Sequence, residues 1–98
     1  MNIIKNQKGT NMEITLEGRL DTMTSPELDA ALKQLPAGIE SLTLDFAELE
    51  YVSSAGLRVL LAAYKVFGGK GGIKIRNVNE LVKEVFEVTG VDDILVIE

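Results

Sequence analysis

Between Met12 and Glu17 apolar and polar residues alternate, with Met12, Ile14 and Leu16 set against Glu13, Thr15 and Glu17. A period of two with one polar side predicts a half-buried strand. Before it, Ile3 to Gln7 reads as a weaker edge strand. Lys8-Gly9-Thr10-Asn11 lies between them and has turn chemistry, because glycine and asparagine tolerate positive φ. The short connection makes the pair an antiparallel hairpin.

After Gly18-Arg19-Leu20-Asp21 the rhythm changes. Thr22 to Glu27 reads as a helix start, with Pro26 suited to the first helical position and Ser25 to the cap. Thr24 with Glu27 is a rival capping box. Leu28, Ala31, Leu32 and Leu35 give the buried stripe, and Pro36-Ala37-Gly38 ends it. Leu42-Thr43-Leu44-Asp45-Phe46 is the next strand. A helix is expected from Ser54 to Phe67, its apolar positions Leu57, Leu60, Leu61 and Tyr64 falling at i, i+3, i+4, i+7. Gly68 to Gly72 terminates it. Ile73 and Ile75 make a strand that extends toward Val78. Asn79 caps a helix with buried Val82, Val85 and Phe86, and Gly90 is its left-handed stop. Ile94 to Ile97 is a last apolar strand.

The order strand, strand, helix, strand, helix, strand, helix, strand predicts an α/β fold. Right-handed crossovers after the hairpin give a mixed, mostly parallel sheet with an antiparallel N-terminal hairpin, covered by helices. The 98 residues form a single domain, 1–98, with no internal repeat or linker. A chain of this length buries roughly 60–65% of its unfolded surface. With 46% hydrophobic residues it folds without staples.

Composition removes several chemistries. There is no cysteine, hence no disulfide and no thiolate metal site, and no histidine, the commonest general base and metal ligand. The formal net charge of −5 opposes direct nucleic-acid binding and binding to anionic membranes. No apolar run reaches the ~18 residues a membrane span needs. The N-terminus lacks the pattern of a signal peptide, so a soluble cytoplasmic protein is expected.

The densest signal is Ser53-Ser54, where a strand region gives way to a helix. One hydroxyl is accounted for as an N-cap, accepting from a backbone N–H that lacks a partner inside the helix. The second is surplus. It is either a turn hydroxyl or a phosphate acceptor, since a helix N-terminus favours an anion. A hydrolytic serine needs a base and an orienting group. Ser54 has no histidine to serve it, is not in a Gly-x-Ser-x-Gly elbow, and no pattern supports a dyad with Lys65 or Lys70. Gly68 to Gly72 around Lys70 departs from a phosphate loop, because Lys70 is followed by Gly71 and the segment precedes a strand. Asp45, Glu48 and Glu50 read as a solvated acidic loop without calcium-loop spacing, adding to the negative field near Ser54. Arg58, Ala62 and Lys65 share the helix face opposite the apolar stripe.

Three segments together resemble the STAS-domain anti-sigma factor antagonists, over nearly the whole chain. They are Leu44-Asp45-Phe46 with Tyr51-Val52-Ser53-Ser54-Ala55-Gly56-Leu57-Arg58-Val59-Leu60-Leu61, then Leu16-Glu17-Gly18-Arg19-Leu20-Asp21, and Val82 to Gly90. The resemblance implies a bacterial partner-switching protein. An anti-sigma factor that is itself a GHKL-type serine kinase would phosphorylate Ser54, two residues before the motif's Gly56. The unmodified antagonist would bind that factor and free the sigma factor; the phosphorylated form would let go, and a PP2C-type phosphatase would reset it. Asp21, Ser53, Ala55, Gly56, Leu57 and Arg58 would make up the partner surface of a chain that is monomeric when free and needs no cofactor or metal. Many members carry aspartate-serine-serine-glycine. Here Ser53 stands at the aspartate position and Ala55 at the second serine, which makes Ser53 a competing acceptor. A different role on the same fold is a subunit of lipid or anion transport machinery, docking on an ATPase without phosphorylation.

Overall fold

The structure, a computed structural model, describes residues 1–98. Its elements are β1 (Asn2–Lys8), β2 (Asn11–Leu20), α1 (Ser25–Lys33), β3 (Ser41–Val52), α2 (Ser54–Phe67), β4 (Gly72–Arg76), α3 (Glu80–Thr89), a single 3₁₀ turn (Val91–Asp93) and β5 (Val96–Ile97). The five strands form one sheet in the order β1-β2-β3-β4-β5, antiparallel at β1–β2 and parallel elsewhere. This is the expected mixed sheet with its N-terminal hairpin, and the expected order of elements. No helix is long and apolar enough to cross a membrane.

Register explains why one face of the sheet is the core. Met12 lies beside Leu42 and Leu42 beside Ile73, while Ile14, Leu44 and Ile75 form the next row. All six are buried and belong to one apolar cluster with Leu28 of α1, Leu57 and Leu60 of α2, and Val82 and Phe86 of α3. Phe86 brings α3 onto β3, its ring centroid 6.3 Å from that of Phe46. The helices therefore cover a single face.

Parallel sheets are usually covered on both sides. The other face of this one is polar. On it Arg76 reaches Glu13 at 3.2 Å and Asp45 at 3.6 Å, tying β2, β3 and β4 together. Asp45 also accepts from the Asn77 amide and from the Ala47 N–H. Burial works to raise its carboxyl; the Asn77 amide, the Ala47 N–H and Arg76 more than offset this and hold it below the usual carboxylate range.

Four local expectations are corrected. The third strand does not stop at Phe46 but runs on to Val52, so Glu48 and Glu50 lie on a strand rather than in a loop. It pairs 12 residues of β3 with 10 of β2. The two extra residues enter at register shifts opposite Thr15–Glu17 and opposite Gly18–Arg19. Such bulges break alternation, leaving Ala47 and Glu48 both exposed in succession. Gly18 sits at the second shift with φ +107°, a conformation that other residues rarely adopt. Second, the stripe of α2 is Gly56, Leu57, Leu60, Ala63 and Phe67; Tyr64 is 38% exposed, its ring lying at the rim against the Gly68 backbone. Third, β4 ends at Arg76, because Asn77 turns the chain with φ +60°. Fourth, Ile94 and Leu95 precede β5, which is only two residues long after the 3₁₀ turn.

Candidate functional site

Past the last β3–β4 pair, Asp45 with Arg76, strands β2 and β3 continue together without β4. Ser53 follows that two-stranded extension and opens α2. Its backbone is extended, its N–H donates to the Leu20 carbonyl at 2.8 Å, and its carbonyl accepts from Leu57 at 2.9 Å. Its Oγ accepts from the Gly56 N–H at 3.3 Å. Ser53 is thus committed as the N-cap, satisfying a donor that the helix itself cannot.

Ser54 is the first helical residue. It is exposed, and its hydroxyl makes no hydrogen bond. The first turn of α2 contains no acidic residue, so the positive end of the helix meets no resident carboxylate within it.

Gly56 sets how deep this turn lies. A Cβ there would come within 2.7 Å of Leu20 Cγ and 3.0 Å of the Leu20 carbonyl oxygen. Leu20 is fully buried, so the helix start is pressed directly onto the end of β2. Leu57, only 6% exposed, anchors the same turn in the core. Gly56 and Leu57 are both buried, and both fix the positions of their neighbours. What faces outward is Ser54 and Arg58, with Ser53, Ala55 and Asp21 partly exposed.

Asp21 organises the loop that enters α1. Its carboxylate accepts from the Met23 N–H at 3.0 Å and from the Thr24 N–H at 3.1 Å. Thr24 Oγ1 accepts from the Asp21 N–H and donates to the Arg19 carbonyl at 2.6 Å. Ser25, expected as the cap, is instead the buried first residue of α1, its hydroxyl donating to the Asp21 carbonyl. Thr24 stands at the cap position without a side-chain cap bond, because its hydroxyl is spent inside the loop. The Thr24 N–H holds the Asp21 carboxyl below the usual range, aided by the Met23 N–H, the Thr24 hydroxyl and Arg19, against the opposing effect of burial.

Sequence reasoning missed Arg19 and Tyr51. The guanidinium of Arg19 lies 4.8 Å from the centre of the Tyr51 ring and 3.8 Å from Asp21. Their register pairing across β2 and β3 puts these side chains together, and only the length of β3 beyond Phe46 reveals it. Beside them a shallow groove of about 310 Å³ runs between the starts of α1 and α2, lined by Thr22, Ser25, Pro26, Ala55, Arg58 and others. It brings Arg58 next to the loop that Asp21 holds.

Other candidates lie apart. Asp45 is eight residues before Ser53 on a strand, roughly 20 Å away, and is paired with Arg76. It adds little to the field at Ser54, since that distance exceeds a Debye length. Lys65 lies about three turns along α2 and Lys70 beyond its end, so neither lysine stands beside Ser54.

A sequence model described as Mlab, STAS domain, matches residues 4–97. The anti-sigma-B factor antagonist of Listeria monocytogenes is 31% identical over 98 residues, covering 97% of this chain and 85% of that protein. The anti-sigma-B factor antagonist of Bacillus subtilis is 26% identical over 96 residues, covering 97% and 88%. Among solved structures, an anti-sigma factor antagonist from Mycobacterium paratuberculosis superposes with a TM-score of 0.87 at 22% identity, covering 98% of this chain and 83% of that one. The anti-sigma factor antagonist SpoIIAA in its unphosphorylated form gives 0.81 at 18% identity, covering 99% and 88%. At these identities the structures show a shared fold, while the match over 4–97 and the Listeria relative extend the likeness to the sequence. The chain belongs to the STAS-domain family, in which its curated relatives are anti-sigma factor antagonists.

Proposed function

We propose that this chain is an anti-sigma factor antagonist that binds an anti-sigma factor through the surface around the start of α2, and that phosphorylation of Ser54 ends the binding. One observation carries the acceptor assignment. Of two adjacent serines, Ser53 has its hydroxyl committed to the helix cap, and Ser54 has its hydroxyl exposed and free. The names of the relatives support the role. That SpoIIAA has been solved in both unphosphorylated and phosphorylated forms supports the switch.

The physics fits. A phosphate on Ser54 adds ≈ −1.5 to −2 charges at the end of a helix that favours an anion, so the fold stands while the surface changes. Like charges brought together at an interface cost several kcal/mol, and a ~100-fold loss of affinity needs only about 2.7 kcal/mol. The transfer needs no base from this chain. A partner kinase of the GHKL type brings ATP and the base, and a PP2C-type phosphatase removes the phosphate.

The test is incubation with the cognate kinase and ATP followed by peptide mass spectrometry of wild type, Ser53→Ala and Ser54→Ala. Phosphate is expected on wild type and Ser53→Ala and absent from Ser54→Ala. A Ser54→Ala chain that takes up phosphate with wild-type stoichiometry rejects the assignment. Co-purification with membrane ATPase components, with no phosphate on Ser54 in cells, moves the chain to the transporter role instead.

A further inference from the structure

Arg58 stands one helical turn beyond Ser54 on α2, and both are exposed. Residues four apart on a helix are neighbours, about 5–6 Å between their Cβ atoms. Helical side chains lean toward the N-terminus, so the stem of Arg58 is directed over the turn that Ser54 begins. Arg58 has no ion pair. The five in the molecule use Lys8, Arg19, Lys33 and Arg76.

The neighbouring charges are occupied. Asp29, which lines the same groove as Arg58, is held by Lys33 at 2.8 Å. Asp21 accepts from the Met23 and Thr24 N–H groups through Oδ1, and its Oδ2 faces Arg19 at 3.8 Å. Arg19 in turn lies over Tyr51. A free guanidinium therefore sits four residues after a free hydroxyl, with nothing between them but Ala55, Gly56 and Leu57.

We infer that Arg58 is the internal counter-ion of a phosphate on Ser54, folding back one turn to hydrogen-bond the phosphoryl oxygens. The inference rests on Ser54 being the acceptor. Its consequence is a switch with two arms. Modification adds an anion to the docking surface and at the same time withdraws a cation that the unmodified surface leaves free for a partner. A guanidinium pairs with phosphate through two N–H groups, which a lysine cannot reproduce.

The test places phosphoserine at position 54 of the full chain by genetic code expansion and follows its second ionisation by ³¹P NMR. The chain is compared with its Arg58→Lys, Arg58→Ala and Lys65→Ala forms. With Arg58 present the midpoint is expected to lie about 0.3 pH unit below that of Arg58→Ala, the size of an exposed i, i+4 pair. Arg58→Lys is expected in between. Lys65→Ala, which removes an equal charge farther along the helix, is expected to leave the midpoint in place. Salt at 1 M is expected to shrink the difference. Equal midpoints with and without Arg58, or an equal shift on removing Lys65, overturn the inference. Because the phosphoserine is placed genetically, this result does not depend on a kinase. Kinase experiments that leave Ser54 unmodified reject the acceptor assignment separately.

Discussion

Ser53 and Asn79 begin α2 and α3 in the same way, each with extended backbone and a side-chain oxygen accepting the N–H three residues on. Beyond that the two helix starts differ. In α3 the cap bond is 2.8 Å, the Asn79 amide also donates to the Leu49 carbonyl, and Glu80 places a carboxylate in the first turn. The residue whose N–H is capped is a buried valine, Val82. In α2 the cap bond is 3.3 Å, the first turn has no acid, and the capped N–H belongs to Gly56, pressed on Leu20. Capping and charge matching are thus separable. The start of α3 satisfies both. The start of α2 satisfies the donor and leaves the charge unmatched, with an exposed serine where α3 has its acid.

Substitutions at equivalent positions test whether that difference is real. The largest effect is expected at Gly56→Ala, whose methyl has no room beside Leu20. Overpacking of this kind costs about 1–3 kcal/mol, read as a lower urea midpoint, and an unchanged midpoint would show that α2 is not held against β2 as described. Asn79→Ala removes a short cap bond and leaves the Leu49 carbonyl without its donor, a loss of about 1.5 kcal/mol. Ser53→Ala removes only the longer cap bond and is expected to cost less, about 0.5–1 kcal/mol. If the two cap substitutions cost the same, the added anchor of Asn79 contributes nothing.

Smaller effects follow. Ser54→Glu gives α2 the first-turn acid that α3 already has, and should raise stability by about 0.3–1 kcal/mol in low salt. A loss of stability on making that change would contradict the unmatched charge at α2.

The last test is acid titration. Asp21, beside the α2 site, and Asp45, on the far sheet face, both lie below the usual carboxylate range in the folded chain. A carboxyl lowered by folding contributes stability that is complete above its unfolded value of about 3.9 and is lost as pH falls through the lower folded value. The melting temperature should therefore decline below about pH 4. Asp21→Asn and Asp45→Asn should each remove part of that decline, the amide oxygen still able to accept the backbone N–H bonds. A decline unaltered in both variants would place its origin elsewhere.

Much of this was legible in the sequence because local rules and the fold agree. Alternation at Met12, Ile14 and Leu16, the Asn79 cap and the left-handed Gly90 stop each have one reading, and the structure adopts it. What failed did so where a long-range partner overrides local rhythm. The strand beyond Phe46 was invisible because its two bulged residues destroy the period of two, and only β2 lying alongside keeps it extended. Tyr64 has the spacing of a core residue, yet α2 is rotated so that small Ala63 faces inward. At the site, the two serines were legible as a pair. Which hydroxyl is committed was not, because a cap is defined by backbone angles that depend on where β3 ends. The start of α1 offered two caps, Ser25 and Thr24, for a similar reason, and the structure puts Thr24 at the cap position. Ser25 has the composition of a cap, but Thr24 and Asp21 already satisfy the local donors between them.

The strand order β1-β2-β3-β4-β5 carries a consequence for how the molecule is made. Every strand pairs with the one synthesised just before it, so no gap in the sheet has to wait for a later segment to be inserted. Assembly can proceed in the order of translation, with modest loop closures at each step. The β2–β3 pairing that supports Ser54 needs neither β4 nor β5. A nascent chain released only as far as α2 already contains Leu20 and the end of β2, against which that serine's turn is pressed.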